Sequence, residues 1–274
     1  MRFTKMHGIG NDFVMVDALH EQPPENLEEL SRRVCDRKFG VGADGLILTE
    51  KGTEAEFRMR MFNPDGSESE MCGNGVRCFA QFLRAEGRTS DTTIPVETGA
   101  GRLVLEVLPD DRVRVDMGKA RLTRGEIGMN GDASQGFKDE PVEALGETYR
   151  GTAVGMGNPH LVLFVERDVT DEHLKVGPVL ERHPEFPART NVHLAKVLSR
   201  GHIRQWTWER GAGATLACGT GACSVAVAAY ANGLTNRQVK IDLPGGQLEI
   251  EYLEDGRVLM TGPAETVFVG SWLD

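Results

Sequence analysis

The chain lacks any apolar run approaching the ~18 residues that a membrane-spanning helix requires. Its first residues, MRFTKMHGIGNDF, also lack the apolar core of a secretory signal. A cytoplasmic protein without membrane contact is therefore expected. Basic excess is missing too: 31 Lys and Arg stand against 41 Asp and Glu, a formal charge of −10. That balance argues against a general nucleic-acid binder. Local basic runs such as SRRVCDRK read as solvated helix surface. No C-x-x-C pair is present, which removes the usual dithiol redox motif. The five cysteines are an odd number and read as thiols in a reducing compartment rather than as a disulfide framework.

Glycine is what the chain has in excess, 33 residues in 274, so tight turns and close backbone approaches are expected. The length suits one large domain or two of ordinary size. An internal repeat decides between these. MCGNGVRC at 71–78 returns as ACGTGACS at 217–224, with Cys72 and Cys218 separated by 146 residues. Asn11 precedes Cys72 by 61 residues and Asn158 precedes Cys218 by 60. Both follow Gly and lead into an apolar strand-like run. Asn63 and Glu209 each stand nine residues before their cysteine, at the ends of FRMRMFN and IRQWTWE. Those segments alternate polar and apolar residues as half-buried strands do. Each cysteine opens a helix that should end at a C-terminal Gly. A pair of strands then follows in each copy, around a Gly-containing turn.

The order and spacing of these landmarks predict an α/β protein of the α+β type with two pseudo-symmetric domains. Each domain should wrap a largely antiparallel sheet around one central helix. The N-terminal repeat spans 1–117, with 264–274 returning to it as a strand, and the C-terminal repeat spans 118–263. Residues 130–148 form a polar stretch beyond the junction.

A cysteine at a helix start lies beside unpartnered N–H groups and the positive end of the macrodipole. Such a position can lower a thiol pKa from about 8.5 towards neutrality. The neighbouring Gly residues let a carboxylate or phosphate approach the same N–H groups. A nucleophilic cysteine enzyme would leave the second copy unexplained. The pairs Cys72/Cys78 and Cys218/Cys223 fit zinc ligation poorly, so no metal is expected. A non-catalytic anion-binding module would have no need for cysteine at both positions. Two thiols acting on opposite faces of one carbon, one as base and the other as acid, would invert a stereocentre. The repeat therefore predicts a racemase or epimerase. No lysine stands in a setting that suggests a pyridoxal Schiff base, and no cofactor is expected.

MHGIGNDFVMVD, FNPDGSESEMCGNGVRC, GMGNPH and ERGAGATLACGTGA together resemble the diaminopimelate epimerase family over essentially the whole chain. The resemblance implies cofactor-independent interconversion of LL- and meso-2,6-diaminopimelate for lysine and peptidoglycan synthesis. It also implies an active site in a cleft between the domains, a small amino-acid substrate and a homodimer. In the LL-to-meso direction Cys218 would take the α-proton and Cys72 would supply one. N–H groups around Gly73, Asn74, Gly219 and Thr220 would meet the carbanion's carboxylate. Glu209 would receive the substrate ammonium and tune the thiol, with His160 as a second modulator. Arg210 would clamp a carboxylate. Asn11, Asn63, Asn158 and Asn191 would recognise the distal amino-acid end. Cys35, Cys78 and Cys223 read as buried, inert thiols. Many family members carry Gln where this chain has Gly45, so that contact is not carried over. Proline racemases and hydroxyproline epimerases, the nearest alternative, usually have His after the first Cys-Gly, where Asn74 stands here.

Overall fold

In a computed structural model describing residues 1–169 and 175–273, the chain divides into two units. The first comprises 1–116 and 261–274, and the second comprises 117–260. Asp274, at the end of the expected returning strand, lies outside the described residues.

In the first unit, β1 (Arg2–Gly8) and β2 (Asn11–Asp17) form an antiparallel hairpin. Ile9 and Gly10 turn it with φ of 50° and 86°, the positive pair that a two-residue hairpin loop needs. α1 (Leu27–Cys35) follows, and Asn26 caps it by accepting the Glu29 N–H. β3 (Gly45–Lys51) then runs parallel to β2 and antiparallel to β4 (Phe57–Phe62). The short β5 (Glu68–Ser69) pairs with the end of β4 and leads into α2 (Gly73–Ala85). β6 (Thr93–Thr98) lies parallel to β4, and β7 (Gly101–Val107) and β8 (Val113–Lys119) continue antiparallel from it.

The second unit repeats this path. After the turn of helix α3 (Arg124–Ile127) come β9 (Glu140–Ala144), β10 (Glu147–Gly155) and β11 (Pro159–Phe164), all antiparallel neighbours. The single turn α4 (Gly177–Leu180) precedes β12 (Asn191–Ser199), which is parallel to β11 and antiparallel to β13 (His202–Glu209). β14 (Gly213–Thr215) pairs with β13 and leads into α5 (Gly219–Ala231). β15 (Gln238–Leu243), parallel to β13, then pairs with β16 (Gly246–Tyr252), and β17 (Arg257–Gly262) follows. β18 (Glu265–Ser271) belongs to the first unit again, antiparallel to β1.

The repeat holds at the level of single residues. Ile47 pairs with Met61 where His193 pairs with Thr207, each 146 positions on. Met61 pairs with Ser69 where Thr207 pairs with Thr215. Both central helices have 13 residues. Each ends in a Schellman motif: the Gly87 N–H donates to Arg84 O and Arg88 to Leu83 O, while Gly233 donates to Tyr230 O and Leu234 to Ala229 O. The mixed α/β class anticipated above is the one found, with two parallel strand pairs in each unit among the mainly antiparallel ones. One expectation needs refinement: the polar stretch 130–148 contains β9. Its alternation buries Val142 and Ala144 while Glu143 faces outward. β9 flanks β10 as β18 flanks β1, so the flanking strand precedes the repeat in one unit and follows it in the other.

Packing follows from these patterns. α2 lies against β1, β2, β3 and β7, and α5 lies against β10, β11, β12, β13, β15 and β16. α5 is buried on nearly all sides, as its Ala/Val-rich sequence requires. Strands under a central helix are covered on both faces. In the first unit Val14, Val16, Leu46, Leu48 and Phe62 pack against Leu30 and Val34 of α1. In the second, Leu161, Leu163, Val192 and Leu194 pack against Phe137, Leu180 and Phe186. Near-continuous apolar strands are the consequence. No helix among the described residues is long and apolar enough to cross a membrane.

Gly233 sits at φ 72° with open space where a Cβ would stand. Gly233→Ala should therefore cost backbone strain alone. A loss of about 1–2 kcal/mol in unfolding free energy is expected from urea denaturation.

Candidate active site

Cys72 and Cys218 are the N-caps of α2 and α5, in nearly the same extended conformation (φ −134°, ψ 122° and φ −132°, ψ 105°). Neither side chain caps its helix. The first intrahelical bonds run from Val76 to Cys72 O and from Ala222 to Cys218 O. The N–H groups of Gly73, Asn74, Gly219 and Thr220 thus lie outside the helical ladders. Both helix starts rest directly on the strands below. A Cβ at Gly75 would come within 2.9 Å of Ile47 Cδ1, and one at Gly221 within 2.4 Å of His193 Cε1. The second Gly of each Cys-Gly-x-Gly turn is thus a packing requirement.

Around Cys72, Asn11 is the junction. Its Oδ1 accepts from the Cys72 thiol at 3.5 Å and from Asn74 Nδ2 at 3.2 Å. Its own Nδ2 donates to Asp44 Oδ2 at 2.7 Å. Asp44 also receives Arg37, which bridges to Asp12, and Lys5 pairs with Asp12 at 2.5 Å. Burial would raise the Asp12 pKa, but hydrogen bonds from Arg37 and Lys5 prevail and hold it at about 2. This charged chain fixes which end of the Asn11 amide faces the thiol. Beneath the helix start, the Arg77 guanidinium donates to Gly73 O, Asn74 Oδ1 and Pro263 O. Asn63 closes the turn after β4, its Nδ2 donating to Ser67 Oγ, and makes none of the contacts described around Cys72.

Around Cys218 the chemistry differs. The thiol is 4% exposed. Burial raises its pKa well above the usual thiol value; the Glu209 carboxylate raises it further through its charge and a hydrogen bond from the thiol. The Gly221 N–H and the Thr220 hydroxyl act in the opposite direction and lose. The expectation of a thiol drawn towards neutrality is therefore corrected for Cys218: desolvation outweighs the helix terminus. His160 is fully buried between Asn158 Oδ1 at 2.7 Å and His193 Nε2 at 2.8 Å. Burial pushes its pKa well below the usual imidazole value, and the neighbouring His193 and Arg210 add to this. Asn191 is spent on the scaffold, donating to Pro159 O and accepting the Arg210 N–H. Arg210 is exposed, with Nη1 on Ala188 O at 2.9 Å.

The structure thus gathers Asn11, Gly73 and Asn74 around Cys72. It gathers Asn158, His160, Asn191, Glu209, Arg210, Gly219 and Thr220 in the neighbourhood of Cys218. Sequence reasoning missed Asp44, Arg77, His193, Thr207 and Gln205. His193 had a readable signal: it interrupts the apolar run of NVHLA, where burial demands a partner. Cys35, Cys78 and Cys223 are buried, and burial pushes Cys35 up to about 11 and Cys78 to about 12. Among the described residues, no three His, Cys, Asp or Glu side chains converge as metal ligands would.

A raised pKa means that Cys218 stays a thiol through neutral pH and ionises only at higher pH. Ultraviolet thiolate titration, taken as the difference between the protein and its Cys218→Ser variant, should show this. Glu209→Gln removes the opposing charge and should move the Cys218 midpoint down. A Cys218 thiolate already present at pH 7 would refute this account.

Comparison with known proteins agrees over the whole chain. A family model described as Diaminopimelate epimerase matches residues 3–123 and 152–267. The diaminopimelate epimerase of Moorella thermoacetica is 54% identical over 99% of both chains. The chloroplastic enzyme of that name from Oryza sativa is 46% identical over 99% of this chain and 80% of its own. Among solved structures, a PhzF-family phenazine biosynthesis protein of Bacillus anthracis superposes with a TM-score of 0.73 at 14% identity, covering 100% of this chain and 99% of its own. A hydroxyproline epimerase of Agrobacterium vitis gives 0.68 at 16%, covering 98% and 91%. These two share the fold. With its two cysteine-capped helices and this degree of identity over its full length, the chain belongs to the diaminopimelate epimerase family.

Proposed function

We propose that the chain interconverts LL- and meso-2,6-diaminopimelate by proton transfer at the α-carbon, with Cys72 and Cys218 as the two acid–base groups and no cofactor. The observation that carries this reading is the matched pair of N-cap thiols. A single-thiol mechanism has no use for the second copy. In the LL-to-meso direction Cys218 takes the α-proton and Cys72 delivers one to the other face. The reverse direction exchanges the roles.

The chemistry fits the environments described. An α-hydrogen is weakly acidic, so a strong base is required, and a thiolate of raised pKa is a stronger base than an ordinary one. Substrate ammonium arriving at Glu209 neutralises the charge that opposes Cys218 ionisation. The proton can then leave the thiol just when substrate is present. Negative charge developing on the substrate carboxylate is met by N–H groups of Gly73, Asn74, Gly219 and Thr220 at two helix starts. Arg210, exposed at the end of β13, clamps a carboxylate. Asn11, Asn63 and Asn158 supply neutral contacts to the distal end, and Asn191 holds the Arg210 backbone for them. The product supplies lysine and peptidoglycan synthesis.

The reading includes a homodimer, for which β18 is the supporting surface. Val267 and Val269 are 55% and 53% exposed, on an antiparallel neighbour of β1. Contiguous apolar exposure of this kind is characteristic of interfaces. A dimer in sedimentation velocity, converted to monomer by Val267→Glu with Val269→Glu, is expected; a wild-type monomer would exclude the dimer.

The activity test is α-hydrogen exchange in deuterium oxide with LL-diaminopimelate, run beside L-proline. Exchange and epimerisation are expected with the former alone. Cys72→Ala and Cys218→Ala should each lower the epimerisation rate by about 10³-fold or more, the range for losing a positioned acid or base. Full epimerisation by either variant would overturn the two-thiol mechanism.

A further inference from the structure

The two thiols have the same backbone but stand on chemically different floors. At corresponding register positions the first unit places Phe13, Ile47, Met59 and Met61, all buried and apolar. The second places His160, His193, Gln205 and Thr207, all buried and polar. These polar side chains form one continuous line. Gln205 Nε2 donates to Thr207 Oγ1 at 3.0 Å, and Thr207 Oγ1 lies 3.0 Å from His193 Nδ1. His193 Nε2 is 2.8 Å from His160 Nδ1, and His160 Nε2 is 2.7 Å from Asn158 Oδ1. The two rings stack with centroids 5.1 Å apart.

The donor and acceptor inventory gives this line a direction. Asn158 Oδ1 can only accept, so His160 carries its proton on Nε2. His160 Nδ1 must then accept, so His193 carries its proton on Nε2. His193 Nδ1 in turn accepts from Thr207, with Gln205 Nε2 a second donor at 3.2 Å. Both rings are neutral in this scheme, as full burial requires. The His193 ring has a second contact. It lies directly under Gly221, where a Cβ would come within 2.4 Å of its Cε1 and 3.0 Å of the Cys218 sulfur. The Gly221 N–H lies beside that sulfur and lowers its pKa, short of a capping bond.

We propose that His193 is a positioning residue for the Cys218 group: its Nε2–H fixes His160 in the Nε2–H tautomer, and its ring seats Gly221 so that the helix start stays beside the thiol. With His160 so fixed, Asn158 presents its carbonyl inward and its amide N–H groups away from the ring. The Cys72 side has no counterpart to this line, so the two acid–base groups respond differently to loss of the floor. The inference rests on the reading that Cys218 is one of the two acid–base groups.

The test is nitrogen-15 NMR of the histidine rings in the full chain without substrate, together with steady-state kinetics in both directions. Wild-type His160 should appear as the neutral Nε2–H tautomer. His193→Phe removes the donor and should shift His160 out of that tautomer. Its kcat should fall about 10- to 100-fold, as for outer partners that orient a reacting group, with KM little changed. His193→Gln keeps a donor nitrogen near the Nε2 position and should restore the tautomer and most of kcat. A wild-type His160 in the Nδ1–H tautomer overturns the proposal, and that spectrum decides even if His193→Phe does not fold. Full kcat in a folded His193→Phe protein also overturns it. The expected tautomer in a protein without epimerase activity would refute the functional reading and leave the assigned hydrogen-bond direction standing.

Discussion

The close seat of two helix starts on the strands beneath them governs this structure. Gly75 and Gly221 leave no room for a Cβ, at 2.9 Å from Ile47 and 2.4 Å from His193 respectively. Any larger residue would lift the first turn, and with it the N-cap cysteine and the unpartnered N–H groups. The Schellman ends at Gly87 and Gly233 stop both helices at the same length. Sheet, turn and helix therefore give both cysteines the same backbone conformation, while the side chains around them differ.

They do differ, and the difference has electrostatic consequences. Around Cys72 the polar order comes from the hairpin side: Lys5, Asp12, Arg37 and Asp44 orient Asn11, and Asn11 orients towards the thiol. Around Cys218 it comes from below and beside, through the histidine line and Glu209. Burial with a carboxylate neighbour makes Cys218 a thiol of raised pKa. One backbone plan thus supports two chemically distinct thiol environments.

Much of this was legible beforehand. The cysteine turns, the paired Asn residues and the Asn63/Glu209 correspondence are local features with fixed spacing, and spacing survives in a linear text. The lengths of α2 and α5 followed from the glycines that end them. β9 was not legible, because EPVEA has only two buried side chains among charged neighbours and reads as surface. Asn191 could be picked out, but its commitment to Pro159 and Arg210 depends on strands that meet only in the fold. Asp44, Arg77, Thr207 and Gln205 carry no local signature; their roles arise from what lies opposite them across a strand or under a turn.

The sequence alone determined the duplication, the two helix starts and the residue types available at each, because these depend on composition and on short-range backbone preference. Tertiary structure decided the protonation chemistry. Whether a thiol at a helix start is acidic or basic depends on how much water reaches it and which charges stand beside it. For Cys218 the fold removes the water and supplies Glu209, and desolvation then outweighs the helix terminus. The same reason explains why His160 could be named from its motif while its tautomer could not: its partner His193 lies 33 residues away and meets it only through the parallel pairing of β11 and β12.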